Sequence, residues 1–197
     1  MMRLFKNLFS FPMGMTLLFS ALIVHPVLGQ KINFGGYTTS QGLSISPGSG
    51  INFGNILAGS DSSVTITREN SAWIRIDGDA TRDITIIVPY ITYLAYGSGN
   101  QIPFACQFAY SNSGIADPSP AEMNAVEISK GVTVITIPML QRTIGAPAPP
   151  PTPAHGGYTA PKATVYLFLN GTLGPIGNAA TGSYTGMVNV YVNYSTY

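Results

Sequence analysis

Cysteine, histidine and charge are what this chain has least of. Cys106 is the only cysteine in 197 residues, so no disulfide can form within one copy. Histidine occurs twice, at His25 and His155. A zinc site therefore lacks soft and imidazole ligands. A Ser–His–Asp or Cys–His arrangement would rest on His155 alone, set in a run of proline and glycine. Charged residues make up 9% of the chain, against about a quarter in an ordinary globular protein. There is no basic stripe to follow a phosphate backbone, which argues against nucleic acid as a partner. Glycine-rich phosphate cradles are missing as well, since the glycines sit in turns with no helix after them. These shortages point to a chain that is not an enzyme and carries no cofactor.

What is present at the front reads as an export leader. Arg3 and Lys6 are followed by an uncharged, mostly apolar run from Leu8 to Val24, and Val27 and Gly29 supply small residues before a cut. The expected division is 1–29 as a cleaved signal peptide and 30–197 as one mature domain starting at Gln30. The run is about long enough to span a bilayer, but Pro12, Gly14 and the Val27-Leu28-Gly29 site favour cleavage over anchoring. No cysteine follows the cut to take a lipid, and no second long apolar run exists, so no transmembrane helix is expected in the mature chain. The expected location is the periplasm, the cell surface or the exterior. Seven basic residues then face eight acidic ones, a net charge of −1. About 168 mature residues suffice for a real core without metal or disulfide.

Period-two alternation dominates that domain. In the last strand Val188, Val190, Val192 and Tyr194 alternate with Asn189, Tyr191 and Asn193, the pattern of one buried and one wet face. Further strands are expected at Ile32–Tyr37, Leu43–Ser46, Ile51–Ile56, Ser63–Thr67, Ala72–Ile76, Asp83–Tyr93, Ile102–Tyr110, Val132–Pro138, Ala163–Leu169 and Ser183–Tyr194, with turn residues between most of them. Ile84–Val88 is continuously apolar enough to suggest a central strand covered on both faces. Only Pro120–Ile128 suggests a turn or two of helix. The fold class expected is all-β, a sandwich or barrel. Counting back from Tyr197 by twos gives Ser195, Asn193, Tyr191 and Asn189, too polar a band to face lipid.

A few segments stand apart. Thr143–Pro161 holds six prolines and reads as a polyproline-like surface loop, either a plain insertion or a recognition loop. Ile32-Asn-Phe-Gly35 recurs as Ile51-Asn-Phe-Gly54, each copy suggesting an edge strand that ends in a glycine turn. Asp77, Asp79 and Asp83 alternate within one segment and are weak candidates for Ca²⁺ ligands. The plainer reading is a hairpin loop joining Ala72–Ile76 to Asp83–Tyr93. Glu69, Glu122 and Glu127 are carboxylates that sequence alone cannot set opposite an aspartate for glycosidic cleavage. Tyr90, Tyr93, Tyr96, Tyr191, Tyr194 and Tyr197 suit either half-buried strands or a sugar- or subunit-binding face. Cys106, between Phe104 and Phe108, suits a buried, inert thiol.

Three segments together resemble a known family. They are Ile51-Asn-Phe-Gly-Asn-Ile-Leu-Ala-Gly59 with Val64–Thr67, Ile74-Arg-Ile-Asp-Gly78 with Ile84–Pro89, and Leu169-Asn-Gly-Thr-Leu173 with Gly182-Ser-Tyr-Thr-Gly-Met-Val-Asn-Val-Tyr-Val-Asn-Tyr194. The resemblance is to a bacterial secreted domain of unknown function, similar to fimbrial subunits and spore-coat-U-like proteins. It implies an immunoglobulin-like, pilin-like antiparallel sandwich and a cell-surface or pilus-like role, with no catalytic residues. The single cysteine departs from the disulfide usual in pilins built by chaperone and usher. The expected function is a cell-surface or fimbria-like structural subunit that pairs through edge strands with its own copies or with other surface subunits; if it polymerises, Gln30–Ser46 is the segment expected to be given to a neighbour. The alternative is a monomeric adhesin module that binds a glycan or protein.

Overall fold

The computed structural model describes residues 26–39, 42–57, 61–142 and 159–196. Among them lie twelve strands: β1 (Pro26–Thr39), β2 (Ser44–Pro47), β3 (Ile51–Leu57), β4 (Val64–Ile66), β5 (Ala72–Asp79), β6 (Asp83–Ile87), β7 (Tyr93–Tyr96), β8 (Asn100–Ser111), β9 (Val126–Glu127), β10 (Val134–Pro138), β11 (Lys162–Leu173) and β12 (Thr185–Tyr194). A 3₁₀ turn, Arg68–Asn70, and one short helix, α1 (Pro118–Met123), complete the elements. The protein is all-β, and the strands form one curled sheet.

Two arms of that sheet meet at β8. In the first arm β10, β6, β12, β1 and β3 lie side by side. In the second, β2, β5, β11 and β8 do so, with β4 beside the end of β11 and β9 beside the end of β8. The start of β8, Asn100–Pro103, pairs with β7, and the remainder, Phe104–Ser111, pairs with β11. Strand β7 in turn touches β12 at Ala95–Thr185. Inward residues of both arms pack into one hydrophobic cluster that includes Ile74, Ile76, Val165, Leu167, Ile84, Ile86, Val188, Val190 and Val192. Alternation places them there: on β5, β6 and β12 every second residue is buried and the residue between is not.

The strand covered on both faces is β11, not Ile84–Val88. Val165 through Leu169 are all buried, because Tyr166 and Phe168 pack outward against a second small cluster with Ala109, Ala121 and the half-buried Trp73. Helix α1 provides Ala121 for that cover. Its start is fixed by Asp117, whose side chain accepts from the Ser119 N–H at 3.0 Å, with proline in the first turn. The helix stops at Met123, and Val126–Glu127, expected to continue it, pairs instead with β8. Strand β6 alternates between buried and half-buried residues and ends at Ile87, so the expected Asp83–Tyr93 strand is two elements.

The expected hairpin across Asp77–Asp83 is also corrected. Strand β5 runs on through Asp79, and β5 and β6 belong to different arms, so the turn at Ala80–Arg82 carries the chain between arms. Tyr194 secures this corner. Its hydroxyl accepts from the Asp79 N–H at 2.8 Å and donates to the Gly42 carbonyl at 3.2 Å, and the Arg82 guanidinium lies 3.7 Å from the ring centroid.

Candidate functional site

Two places in the fold stand out by their geometry. The first is the seat of β1. This strand lies between the last strand and β3, parallel to β12 and antiparallel to β3. The pairing with β12 is the one parallel pair among the described strands. The four-residue echo turns out to be a contact: Ile32 stands opposite Ile51, and both are buried. Of its two copies only β3 is an edge strand; β1 is flanked on both sides, contrary to expectation.

Ile32 holds β1 down. It is fully buried, opposite Gly186 of β12, where the side chains of Leu94 and Ile91 also gather. Phe34 and Tyr37 pack only partly against the core. Between them the register shifts at Gly35–Gly36, where the Gly36 N–H donates to Asn189 Oδ1 at 2.9 Å. A Cβ on Gly35 would lie 2.2 Å from Met187 Cγ, so only glycine lets the backbone come this close without displacing that side chain. The segment expected as one donor, Gln30–Ser46, is divided here: Lys31–Thr39 pairs with β12, whereas Ser44–Pro47 forms β2 beside β5 in the other arm.

The second place is an open cleft of about 480 Å³ lined by Trp73, Glu69, Asn70, Glu122, Asn52 and Ser49. A neighbouring hollow shares Glu69 and Glu122 and adds Arg68 and Met123. Sequence reasoning named Glu69 and Glu122 but could not place them; the packing of α1 on the 3₁₀ turn puts both on one cleft wall. Glu127 lies apart from that wall and pairs with Arg68 at 2.6 Å. The combination of a half-buried indole with carboxylates, amides and hydroxyls can meet both the apolar and the hydroxylated surfaces of a polyol ligand.

Glu122 is the perturbed acid of this cleft. Burial lifts its carboxyl above the ordinary 4.5, while the Ser71 hydroxyl and Arg68 pull it back. Ser71 Oγ lies against both the Arg68 carbonyl, at 2.6 Å, and Glu122 Oε1. The Ser71 hydroxyl can turn to either acceptor, and the hydrogen bond it gives Glu122 favours the charged carboxylate without offsetting the burial. Because the folded value is raised, the stabilisation is present below 4.5 and is lost as pH climbs through the folded value. Glu122→Gln should therefore melt with the parent near pH 4 and above it at pH 7. The gain should be about a degree or two, since much of the carboxyl still meets solvent. Thermal melts across pH check this; identical curves at both pH values would contradict it.

The aspartates expected as calcium ligands are each engaged separately. Asp77 Oδ1 accepts from Arg75 Nε at 2.9 Å and from Thr164 Oγ1 at 2.6 Å. Asp79 Oδ1 accepts from the N–H and hydroxyl of Thr81, and Asp83 pairs with Arg142. Among the described residues no three His, Cys, Asp or Glu side chains gather as a metal-holding group.

The tyrosines do not share one face. Tyr90 and Tyr93 line a hollow of about 300 Å³ with Met187, which is 64% exposed. Tyr96 packs on Tyr184, and Tyr194 sits at the corner beneath Arg82. Tyr191 is exposed on β12, and Tyr197 lies outside the described residues. So do His155 and most of the expected Pro-rich loop, 143–158.

Cys106 is buried in β8, and its thiol is pushed up to about 11, chiefly by burial. At pH 8 roughly one thiol in a thousand is then ionised. An alkylating reagent at that pH should leave the native protein unlabelled over hours and modify it fully in denaturant, as read by intact mass. Rapid native labelling would show the site to be open.

Among the described residues no helix is long and apolar enough to cross a membrane. No protein-family model matches this chain, and no curated protein matches it either.

Proposed function

We propose that this chain is an exported, non-enzymatic structural subunit of a cell-surface or fimbria-like assembly, with an immunoglobulin-like sandwich completed by β1. The carrying observation is the seat of that strand. Removing β1 would strip both β12 and β3 of a partner and open the core over Ile51, Leu94 and Val188. Two unpaired edges flanking an apolar slot invite another strand, and the equivalent strand of a second copy has the right sequence to fill it. Beyond Gln30, β1 inserts only one fully buried aliphatic side chain, Ile32, so its hold is modest for a strand of that length. The bacterial secreted family resembled by the Gly182–Tyr194 signature supports the same reading. The leader-like first 29 residues support export.

Unboiled samples of the exported protein run on denaturing gels test the assembly. Heat-sensitive ladders are expected, and deletion of Gln30–Tyr37 should abolish them. Ladders that persist after the deletion would overturn the role given to β1.

The cleft at Trp73 favours a second reading, a monomeric module that binds a glycan or a protein. Light scattering after size exclusion separates the two, because a clean monomer at high concentration suits the module. In that case Trp73→Ala should abolish retention on immobilised glycans while leaving the melt cooperative.

A further inference from the structure

The Trp73 cleft does not end at its own walls. On one side it shares Glu69, Ser119 and Glu122 with the hollow that holds Met123. On the other it shares Ser49 and Gly50 with a third hollow, of about 230 Å³, lined by Asn33 and Tyr37 of β1. The two outer hollows have no lining residue in common, so the three stand in series with Trp73 in the middle one. Two glycines keep the saddle at Ser49 open. Trp73 Cε3 lies 2.2 Å from where a Cβ on Gly48 would stand, and Asn33 Oδ1 lies 2.1 Å from the corresponding point on Gly50. A side chain at either position would displace the indole or the amide. The indole is held further by the edge-on ring of Tyr166, with centroids 5.7 Å apart, and by backbone hydrogen bonds to Gly48 and Ser49.

We propose that these hollows form one extended groove for a linear, non-acidic oligosaccharide of three or more units, with one ring stacked on Trp73; this deepens the glycan reading of the cleft and rests on it. Hollows on both sides give a chain somewhere to continue, whereas a single terminal sugar would use the middle one alone. Each hollow offers what a sugar ring needs. Tyr37, Trp73 and Met123 in turn supply an apolar surface for its CH face, and amide, hydroxyl or carboxylate groups beside them meet its hydroxyls. Groups fixed in advance lose little freedom on binding, so each added ring contributes its contacts nearly in full. Charge decides what is refused. Among the described residues the three linings hold two carboxylates, Glu69 and Glu122, and one cation, Arg68, which is paired with Glu127 at 2.6 Å. An acidic sugar would meet those carboxylates with no unpaired cation to receive it.

The test prints linear oligosaccharides from disaccharides to octasaccharides, neutral, amine-bearing and uronic, on one array beside basic and neutral peptides, and probes it with the full chain. Binding is expected from the non-acidic chains, tightening about tenfold between disaccharide and tetrasaccharide as further hydrogen bonds are made. Disaccharides bound as tightly as longer chains would overturn the extended groove while sustaining the glycan reading of Trp73. Equal binding of uronic chains would overturn the restriction to non-acidic ligands. Retention of peptides alone, or of nothing, would end both the proposal and the glycan reading beneath it. Asn33→Ala is an exposed change in the hollow beside β1. It should return the tetrasaccharide to the affinity of the disaccharide and leave disaccharide binding and Tm as they are, whereas Trp73→Ala should abolish binding of both. If Asn33→Ala bound the tetrasaccharide as well as the parent does, the hollow beside β1 would take no part and the proposal would fall.

Discussion

Ile32→Asp should cost the protein about 3–5 kcal/mol, the range for leaving a charge buried and unpaired. The residue is fully buried opposite Ile51 and Gly186, with Leu94 and Ile91 beside it, and none of these can pair with a carboxylate. The penalty falls on the seat of β1, so the damage should be local before it is global. Hydrogen exchange should show Lys31–Thr39 losing protection first, together with the β3 and β12 amides that face it, while β5, β8 and β11 retain theirs. The milder Ile32→Val should cost about 1 kcal/mol and keep the arm docked. Uniform loss of protection across all strands would show that β1 and the rest of the fold form a single cooperative unit. A subunit whose first strand can leave without the rest unfolding is what strand exchange between copies requires.

A second large effect is expected at Gly171, in β11 where β4 and β8 both pair with it. Its φ is +151°, and an added Cβ would lie 2.2 Å from the Ala105 carbonyl oxygen of β8. Backbone blocks the space, so no side chain can swing away to make room. Gly171→Ala should destabilise the protein by about 2–5 kcal/mol, combining backbone strain with a clash in a packed sheet. For a chain of this size that lowers Tm by about 10 °C, which calorimetry would read directly. A shift below about 2 °C would mean that β11 and β8 separate easily at this point. The glycine of Leu169-Asn-Gly-Thr-Leu173 thus has a physical reason for being there.

How much of this was readable beforehand varies from strand to strand. The strand β12 was clear because its valines alternate without interruption and its two long pairings, with β1 and β6, lie in the same arm. The two-sided burial of β11 was not, because the elements that cover Tyr166 and Phe168 come from α1 and β8, earlier in the chain. The continuous apolar look of Ile84–Val88 misled for the converse reason: Ile87 is apolar but only half-buried. Strand β1 lay partly hidden, since Gly35–Gly36 breaks its alternation and its parallel partner is at the other end of the domain. The cleft was out of reach altogether. Ser71 and Glu122 are 51 residues apart, and nothing in either segment announces that a helix capped by Asp117 will bring them into contact.

The parallel pairing of β1 with β12 has a consequence for force. Two strands that run the same way, one at the start of the domain and one at its finish, have their outer ends at opposite ends of the ladder. Tension entering at the beginning of β1 and leaving beyond Tyr194 would therefore act along the strands, loading their hydrogen bonds in shear. Bonds loaded in shear share the pull and fail together, whereas a hairpin pulled from its open end unzips one bond at a time. The shift at Gly35–Gly36 divides that shear-bearing ladder into two blocks, Lys31–Phe34 and Tyr37–Thr39. A string of such domains under strain would meet its resistance there, with the first block holding the fully buried Ile32 as its anchor.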